Sequence, residues 1–455
     1  AIQSEETPVE IWASRLVDNF ASFMGGAIYA WSSFALDPAK AVVIRDSLLE
    51  GNEADTGGGI YTDRRRVEIQ GSTFAGNVAT QVGLPGGGAL YAQVAELEVL
   101  NSTFSGNSGG TATGAIHLNQ ATPAVISGST IVGNSAFRRG GLSTTGSPVA
   151  LLNTIVAGNT ATSGDGSDDC LDLVGSISDL GGNIDGSGTC NVATTIPFAG
   201  LQVATLEDNG GATPTHALLP GSAAIDFTSS SCPETNDADQ RGAPRDGLCD
   251  AGAFEAGVTL PVLGFVQATT TLLEGSDAQG VVDIVITNQG GIEGGAPVTV
   301  FVTLNGTAAR SFDFEPTTVL PLEIPIPVPG ASSVVAIELD VFDDAREEGD
   351  ETVVLSLALA GPAMLGDIPR HVVTILDDEV TGYCGELQRE VQAAVGAEDE
   401  RYRNHGRYVS TVNRTIKQLS SQGFVTKGCR GCIISQFARR VPPAEQIACG
   451  DPGPL

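Results

Sequence analysis

STFAGN (72–77) and STFSGN (102–107) decide the fold. The phrase returns as SLLEGN (47–52), STIVGN (129–134) and TIVAGN (154–159). It ends on Asn52, Asn77, Asn107, Asn134 and Asn159, at intervals of 25, 30, 27 and 25 residues. Three residues before each asparagine stands an apolar residue: Leu49, Phe74, Phe104, Ile131 and Val156. A fixed period of this size marks stacked repeats. Between these phrases runs a second one: GGAIYA (25–30), GGGIYT (57–62), GGGALYA (86–92), GAIHL (114–118) and RGGLST (139–144). Each coil is expected to hold two short apolar strands divided by Gly-rich and Asn-containing turns. A coil this short has no room for a strand–helix–strand unit and shows no 3.6 periodicity. Strands stacked coil on coil, roughly 4.8 Å apart, fit best. The Leu/Phe/Phe/Ile/Val column would fill the interior. The asparagines would form an amide ladder at a turn, which is a structural role. Glycine before each asparagine permits positive φ there.

Around this core the composition sets limits. The 455-residue chain carries a net charge of −31. Residues 1–380 hold 13 Lys and Arg against 47 Asp and Glu, and residues 381–455 hold ten against seven. A body this acidic, with Lys40 its one lysine, repels nucleic acid and anionic membrane. It suits hard cations such as Ca²⁺. No run of 18 apolar residues exists, so no membrane-spanning helix is expected. The chain begins AIQSEE, as removal of an export signal would leave it, and as any trimmed chain would look. Eight cysteines, an even number, favour an extracellular or cell-surface, disulfide-permissive setting: Cys170, Cys190, Cys232, Cys249, Cys384, Cys429, Cys432 and Cys449. Their connectivity is open; closeness in sequence favours 170–190 and 232–249.

Residues 1–24 read as a lead-in covering the open end of the stack, with an amphipathic helix around Trp12–Phe23. Coils and a terminal region occupy 25–257, and a linker 258–266. Residues 267–380 change register. Period-2 runs such as VVDIVITN (281–288), VTVFVTLN (298–305) and TVVLSLAL (352–359) read as an antiparallel sandwich. The remainder, 381–455, is a small helical, disulfide-bonded tail; Val391, Val395, Tyr402, Val409, Val412, Ile416 and Leu419 keep helical spacing. Cys429 and Cys432 form a CxxC pair, but the other two tail cysteines lack that spacing, which favours disulfides over Zn²⁺. The basic tail invites contact with an acidic body, its own or a neighbour's.

Three resemblances follow from these residues. The GGAI and FxxN phrases resemble the repeats of polymorphic outer-membrane proteins, right-handed parallel β-helices of bacterial surfaces. Residues 205–226 and 237–255 (DADQRGAPRDGLCDAGAFE) resemble the terminal region of secreted β-helix proteins of the choice-of-anchor type. Residues 267–380 resemble a Calx-β domain: Glu274–Gly275, the D-x-F-x-P turn at Asp313–Pro316, the acidic run Asp343–Glu351, and the closing DDE. The Calx-β resemblance implies a Ca²⁺ site on Glu274, Asp313, Asp343, Asp344, Glu348, Glu351, Asp377 and Asp378. The competing reading is a solvated acidic rim without metal. The fold expected is mainly β: a right-handed parallel β-helix, an antiparallel Calx-β-like sandwich, then the helical tail.

The function expected is a secreted, non-enzymatic structural or adhesive protein. It would associate with itself, as a homo-oligomer or filament, or with other surface proteins or glycans. Open coil ends and opposite charges on tail and body favour self-assembly. The alternative is a polysaccharide lyase or hydrolase with a Calx-β accessory domain. Candidate bases are Lys40, Arg64–Arg65–Arg66 and Arg138–Arg139, with the arginine runs read as solvated surface. His117 and His216 stand alone, and no nucleophile-elbow phrase appears.

Overall fold

The structure is a computed structural model. It describes residues 1–33, 36–81, 86–121, 123–164, 168–172, 177–228, 237–245, 247–274, 280–290, 292, 297–311, 313–342, 349–376, 388, 391–395, 405–420 and 427–438.

The first half is a parallel β-solenoid built from three seven-stranded sheets. The GGAIYA-type phrases form the first sheet, from Ile2–Glu5 through Ile28–Trp31 to Cys170–Asp172. The FxxN-type phrases form the third, from Arg15–Val17 through Thr73–Ala75 to Ile184–Asp185. Each coil therefore has three strands, not two. The additional sheet runs from Val9–Trp12 through Arg66–Gln70 and Glu96–Leu100 to Ile177–Asp179. Its inward positions alternate cleanly (Val67 and Ile69, Leu97 and Val99), but its outward residues vary, so no repeated phrase betrays it.

Register is exact from coil to coil, with Thr73 opposite Thr103 and Phe74 opposite Phe104. Identical positions therefore stack: the two phenyl rings lie 4.8 Å apart at 10°. Leu49, Phe74, Phe104, Ile131 and Val156 are buried in one core with Ile28, Ile60 and Leu90. Burying each large side chain contributes about 1.5–3 kcal/mol. Gly26, Gly58, Gly88, Gly114 and Gly140, stacked in one column, leave no room for a Cβ. A Cβ on Gly88 would stand 2.2 Å from the Gly114 carbonyl oxygen on the next coil.

Two polar ladders hold the corners. In the asparagine ladder, Asn77 Nδ2 donates to Asn107 Oδ1 (2.9 Å), and Asn107 Nδ2 donates to Asn134 Oδ1 (2.8 Å). Each amide nitrogen also donates to a carbonyl one coil back, as Asn107 does to Phe74 (2.9 Å). The column extends beyond the five phrases. Asn19, in RLVDN, donates to Asn52, and Asn159 donates to the buried carboxylate of Asp169. Gly51, Gly76, Gly106, Gly133 and Gly158 all have positive φ. A serine ladder marks the corner between the second and third sheets. The Ser47 amide donates to Ser72 Oγ, Ser72 to Ser102, and Ser102 to Ser129, each at 3.2 Å.

Residues 2–17 are themselves the first rung, three strands rather than a helical lead-in. Among the described residues nothing pairs with its outer edge. Trp12, Val17, Phe20, Phe23 and Met24 are exposed there. The seventh rung is covered instead. Cys170 bonds to Cys190, Val192 packs on the core, and the Phe198 ring lies against Gly158. Among the described residues the open end is therefore the first rung, the end that the sequence expected a lead-in to cover.

From Val203 the chain forms a strap along the outer face of the third sheet. Gln240 Nε2 donates to Thr73 Oγ1 and Thr213 Oγ1 (both 2.8 Å), and Thr103 Oγ1 donates to Gln240 Oε1 (2.6 Å). Asn101 and Asn153 donate to the strap carbonyls of Ala238 and Asp250. Within the charged DADQRGAPRDGLCDAGAFE segment, Asp239, Arg241, Arg245, Asp250 and Glu255 are buried, and Asp237 is exposed. Arg241 pairs with Asp239 (2.7 Å) and lies over the Phe254 ring (3.8 Å). Arg245 pairs with Glu255 (2.9 Å) and donates to the carbonyls of Asp250 and Gly252. Burial, with the nearby Asp250 charge, pushes the Glu255 carboxyl up to about 7.

The second unit is a sandwich of two five-stranded sheets. Val262–Phe265, placed in the linker by sequence, is a strand of it, paired with Gly280–Thr287. Alternation along Glu351–Ala360 buries Val353, Leu355, Leu357 and Leu359. The strap joins this unit through Gly211 N to Ala363 O (2.7 Å) and an apolar contact of Ala243, Leu260 and Ile292. In the tail, helices His405–Ser420 and Lys427–Ala438 enclose Val391, Val395, Tyr408, Val412, Ile416, Ile433 and Phe437. The second of these spans the CxxC segment.

Candidate metal centre

Strand direction places the residues that bracket the acidic segments at one pole of the sandwich and the strap at the other. Glu351 begins the strand that ends at Ala360, beside the strap contact at Ala363. At the far pole, Thr269–Leu273 and Arg370–Leu376 run parallel, with Leu273 opposite Leu376. Glu274 follows directly, and its amide donates to the Leu376 carbonyl (3.0 Å). Glu351 pairs with Ile375 on the other side of the same strand. Those two carboxylates therefore flank one strand end.

Asp313 comes from the other sheet. Its amide donates to Ala309 O (2.9 Å), its Oδ2 accepts from the Ala309 amide, and its carbonyl accepts from Phe342 N (2.9 Å). The turn thus closes on itself, through Ser311 at positive φ, and holds Asp313 beside the end of Ser332–Val341. Glu274 and Asp313 are buried, at 8% and 7% exposure, and Glu351 is half-buried. Just outside, Arg310 is engaged by Glu315 (2.6 Å), which holds that carboxyl below its usual range.

Asp343, Asp344, Glu348, Asp377 and Asp378 lie outside the described residues. Phe342, Gly349 and Leu376, which bracket them in the chain, are at this same pole. Among the described residues no group of three His, Cys, Asp or Glu side chains is placed to hold an ion. The donor chemistry present, buried carboxylate oxygens drawn from both sheets, fits a hard cation.

The cysteines divide similarly. Cys170–Cys190 is a disulfide with Cα atoms 4.9 Å apart. Cys249 and Cys432 are also disulfide-bonded. Cys232, Cys384, Cys449 and the Cys429 side chain lie outside the description.

The candidate bases of the solenoid are occupied. Arg65 is not surface: it is fully buried and donates to the carbonyls of Thr7 and Lys40, tying three coils together. Arg64 pairs with Asp63, Arg66 with Glu68, and Lys40 with Glu6. His117 is buried at 1% exposure, stacked on Tyr91, with Nδ1 2.6 Å from Ser143 Oγ. Burial pushes its pKa down to about 3. His216 bridges Ala204 O and Ser105 Oγ. Sequence reasoning missed Asn19, the serine ladder and the strap ion pairs; the apolar-x-x-Asn spacing Leu16–Asn19 was the signal for the first.

No protein-family model matches the chain. No curated protein matches it either. Solved structures with some similarity include the apo-form Calx CBD1 domain, 22% identical, covering 26% of this chain and 99% of that one, with a TM-score of 0.21. The Calx CBD2 domain is 14% identical, covering 31% of this chain and 99% of that one, with a TM-score of 0.21. The calcium binding domain CBD12 of CALX1.1 is 24% identical, covering 26% of this chain and 44% of that one, with a TM-score of 0.20. All of these span under a third of the chain.

Proposed function

We propose that this chain is an extracellular, non-catalytic structural or adhesive protein of a bacterial surface, stiffened by its solenoid and stabilised by Ca²⁺ at the far pole of the sandwich. The observation that carries the calcium reading is the burial of Glu274 and Asp313 on opposite sheets at the pole where the acidic loops attach. A buried carboxylate calls for hydrogen-bond donors, a proton or a cation. Glu274, Asp313 and Glu351, with Asp343, Asp344, Glu348, Asp377 and Asp378, would supply the oxygens. The strap supports the mechanical part of the reading. It replaces a flexible linker by buried ion pairs and by hydrogen bonds to the solenoid corners.

Self-association is part of this proposal. Its contact face is the open first rung, with free strand edges and exposed Trp12, Phe20 and Phe23. Because the seventh rung is covered, coil-on-coil contact would join first rung to first rung, and filament growth would need a second contact elsewhere. The test is calorimetry of the full chain with Ca²⁺ after EDTA treatment, beside negative-stain microscopy with and without EDTA. Binding heat, abolished in Asp313→Asn with Glu274→Gln, is expected. No heat from the unmodified chain would sink the calcium reading, and sugar release from acidic polysaccharides would overturn the non-catalytic one.

A further inference from the structure

The corner between the second and third sheets repeats one backbone feature. Ala13, Asp46, Gly71, Asn101, Gly128 and Asn153 all have φ between 42° and 61°. At the fourth and sixth rungs the side chain at this corner is an amide that donates to the strap. At the second rung it is Asp46, which has only acceptors to offer. Asp46 lines a cavity of about 290 Å³, bounded by the first two rungs, the strap turn around Asp208 and the sandwich strand carrying Leu357. Leu48, Leu357 and Leu365 form an apolar wall, and Arg15 at the rim is turned to Glu50 at 3.5 Å. Among the described residues no group donates a hydrogen bond to the Asp46 carboxylate. Burial pushes its pKa up to about 6, opposed only by the charge of Arg45.

A carboxylate set among leucines at an interdomain cavity asks for a ligand with a cationic tip and an apolar stem. Ca²⁺ is a poor match, because it takes six to eight oxygens. We propose that this cavity binds an aliphatic ammonium group, free in a small diamine or at the tip of a lysine side chain. The ammonium sits on Asp46 and the methylene stem lies along Leu48, Leu357 and Leu365.

The test is calorimetry of the full chain at physiological salt with two probes, cadaverine and Nα-acetyl-lysine amide. A net charge of −31 attracts any amine weakly. Asp46→Asn removes one unit of that charge, so general attraction would survive it. Asparagine already occupies this corner at positions 101 and 153, so the variant keeps the backbone. The expected result is saturable 1:1 binding, weakened at least tenfold in Asp46→Asn and blocked in Leu365→Arg. Binding of cadaverine alone identifies a free amine, and binding of the lysine amide identifies a side chain. Absence of saturable binding to either probe, or binding unchanged in Asp46→Asn, overturns the proposal.

Discussion

The solenoid and the sandwich handle buried polar groups in opposite ways. In the asparagine column of the solenoid, each amide finds its partner in a copy of itself one coil away, so Asn77, Asn107 and Asn134 are fully buried and fully bonded. An amide both donates and accepts, and a stack of them satisfies itself. In the sandwich, the polar groups gathered at the far pole are carboxylates, which only accept. Asp313 takes its donor from the backbone, the Ala309 amide, and not from a copy of itself. Translation lets the asparagine column satisfy itself, whereas carboxylates cannot satisfy one another in that way.

Four measurements press on this contrast. The largest effect is expected from Phe104→Ala, which opens the stacked core; about 3–5 kcal/mol should be lost in chemical denaturation. A loss below 1 kcal/mol would mean that the coils close over the gap. Next comes Asn107→Ala. It strips partners from the Asn77 amide groups and from the Phe74 carbonyl, and about 2–4 kcal/mol of destabilisation is expected. Asn107→Asp should not rescue it, because the donor to Asn134 Oδ1 is missing.

Calcium removal should act on the other unit. At free Ca²⁺ a hundredfold above its dissociation constant, EDTA should cost about 2.7 kcal/mol, read as a lowered sandwich transition with the solenoid transition unmoved. Equal shifts in both transitions would break the contrast. The smallest effect is a pH slope. His117 is held neutral in the fold with its pKa near 3, against 6.5 for the free side chain. Between those values the unfolded chain binds the extra proton, so solenoid stability should fall as pH drops from 6.5. The slope approaches about 1.4 kcal/mol per pH unit, and His117→Gln should flatten it.

How much was legible in the sequence differs between the same two units. The Asn period, the apolar residue three places before it and the glycine between them were readable because stacking repeats local chemistry. The second sheet was not, since only inward positions recur there and the outward ones are free to vary. The helix expected at Trp12–Phe23 failed for a related reason. Leu16 and Asn19 belong to the coil pattern, and pairing with Leu49 and Asn52 overrides the amphipathic spacing. Of the proposed calcium ligands, Glu274, Asp313 and Glu351 are placed at one pole by strand direction, while the other five lie outside the described residues.

By itself the sequence determined the coil, its ladder and the change to period-2 strands at the sandwich, because each rests on contacts between equivalent or neighbouring positions. Only the tertiary structure decided the strap, the covered seventh rung and the cavity at Asp46. Gln240 meets Thr73 across 167 residues, and the strap carboxylates and arginines are buried together as ion pairs. Such contacts depend on where separate segments come to rest, which no local pattern of residues records.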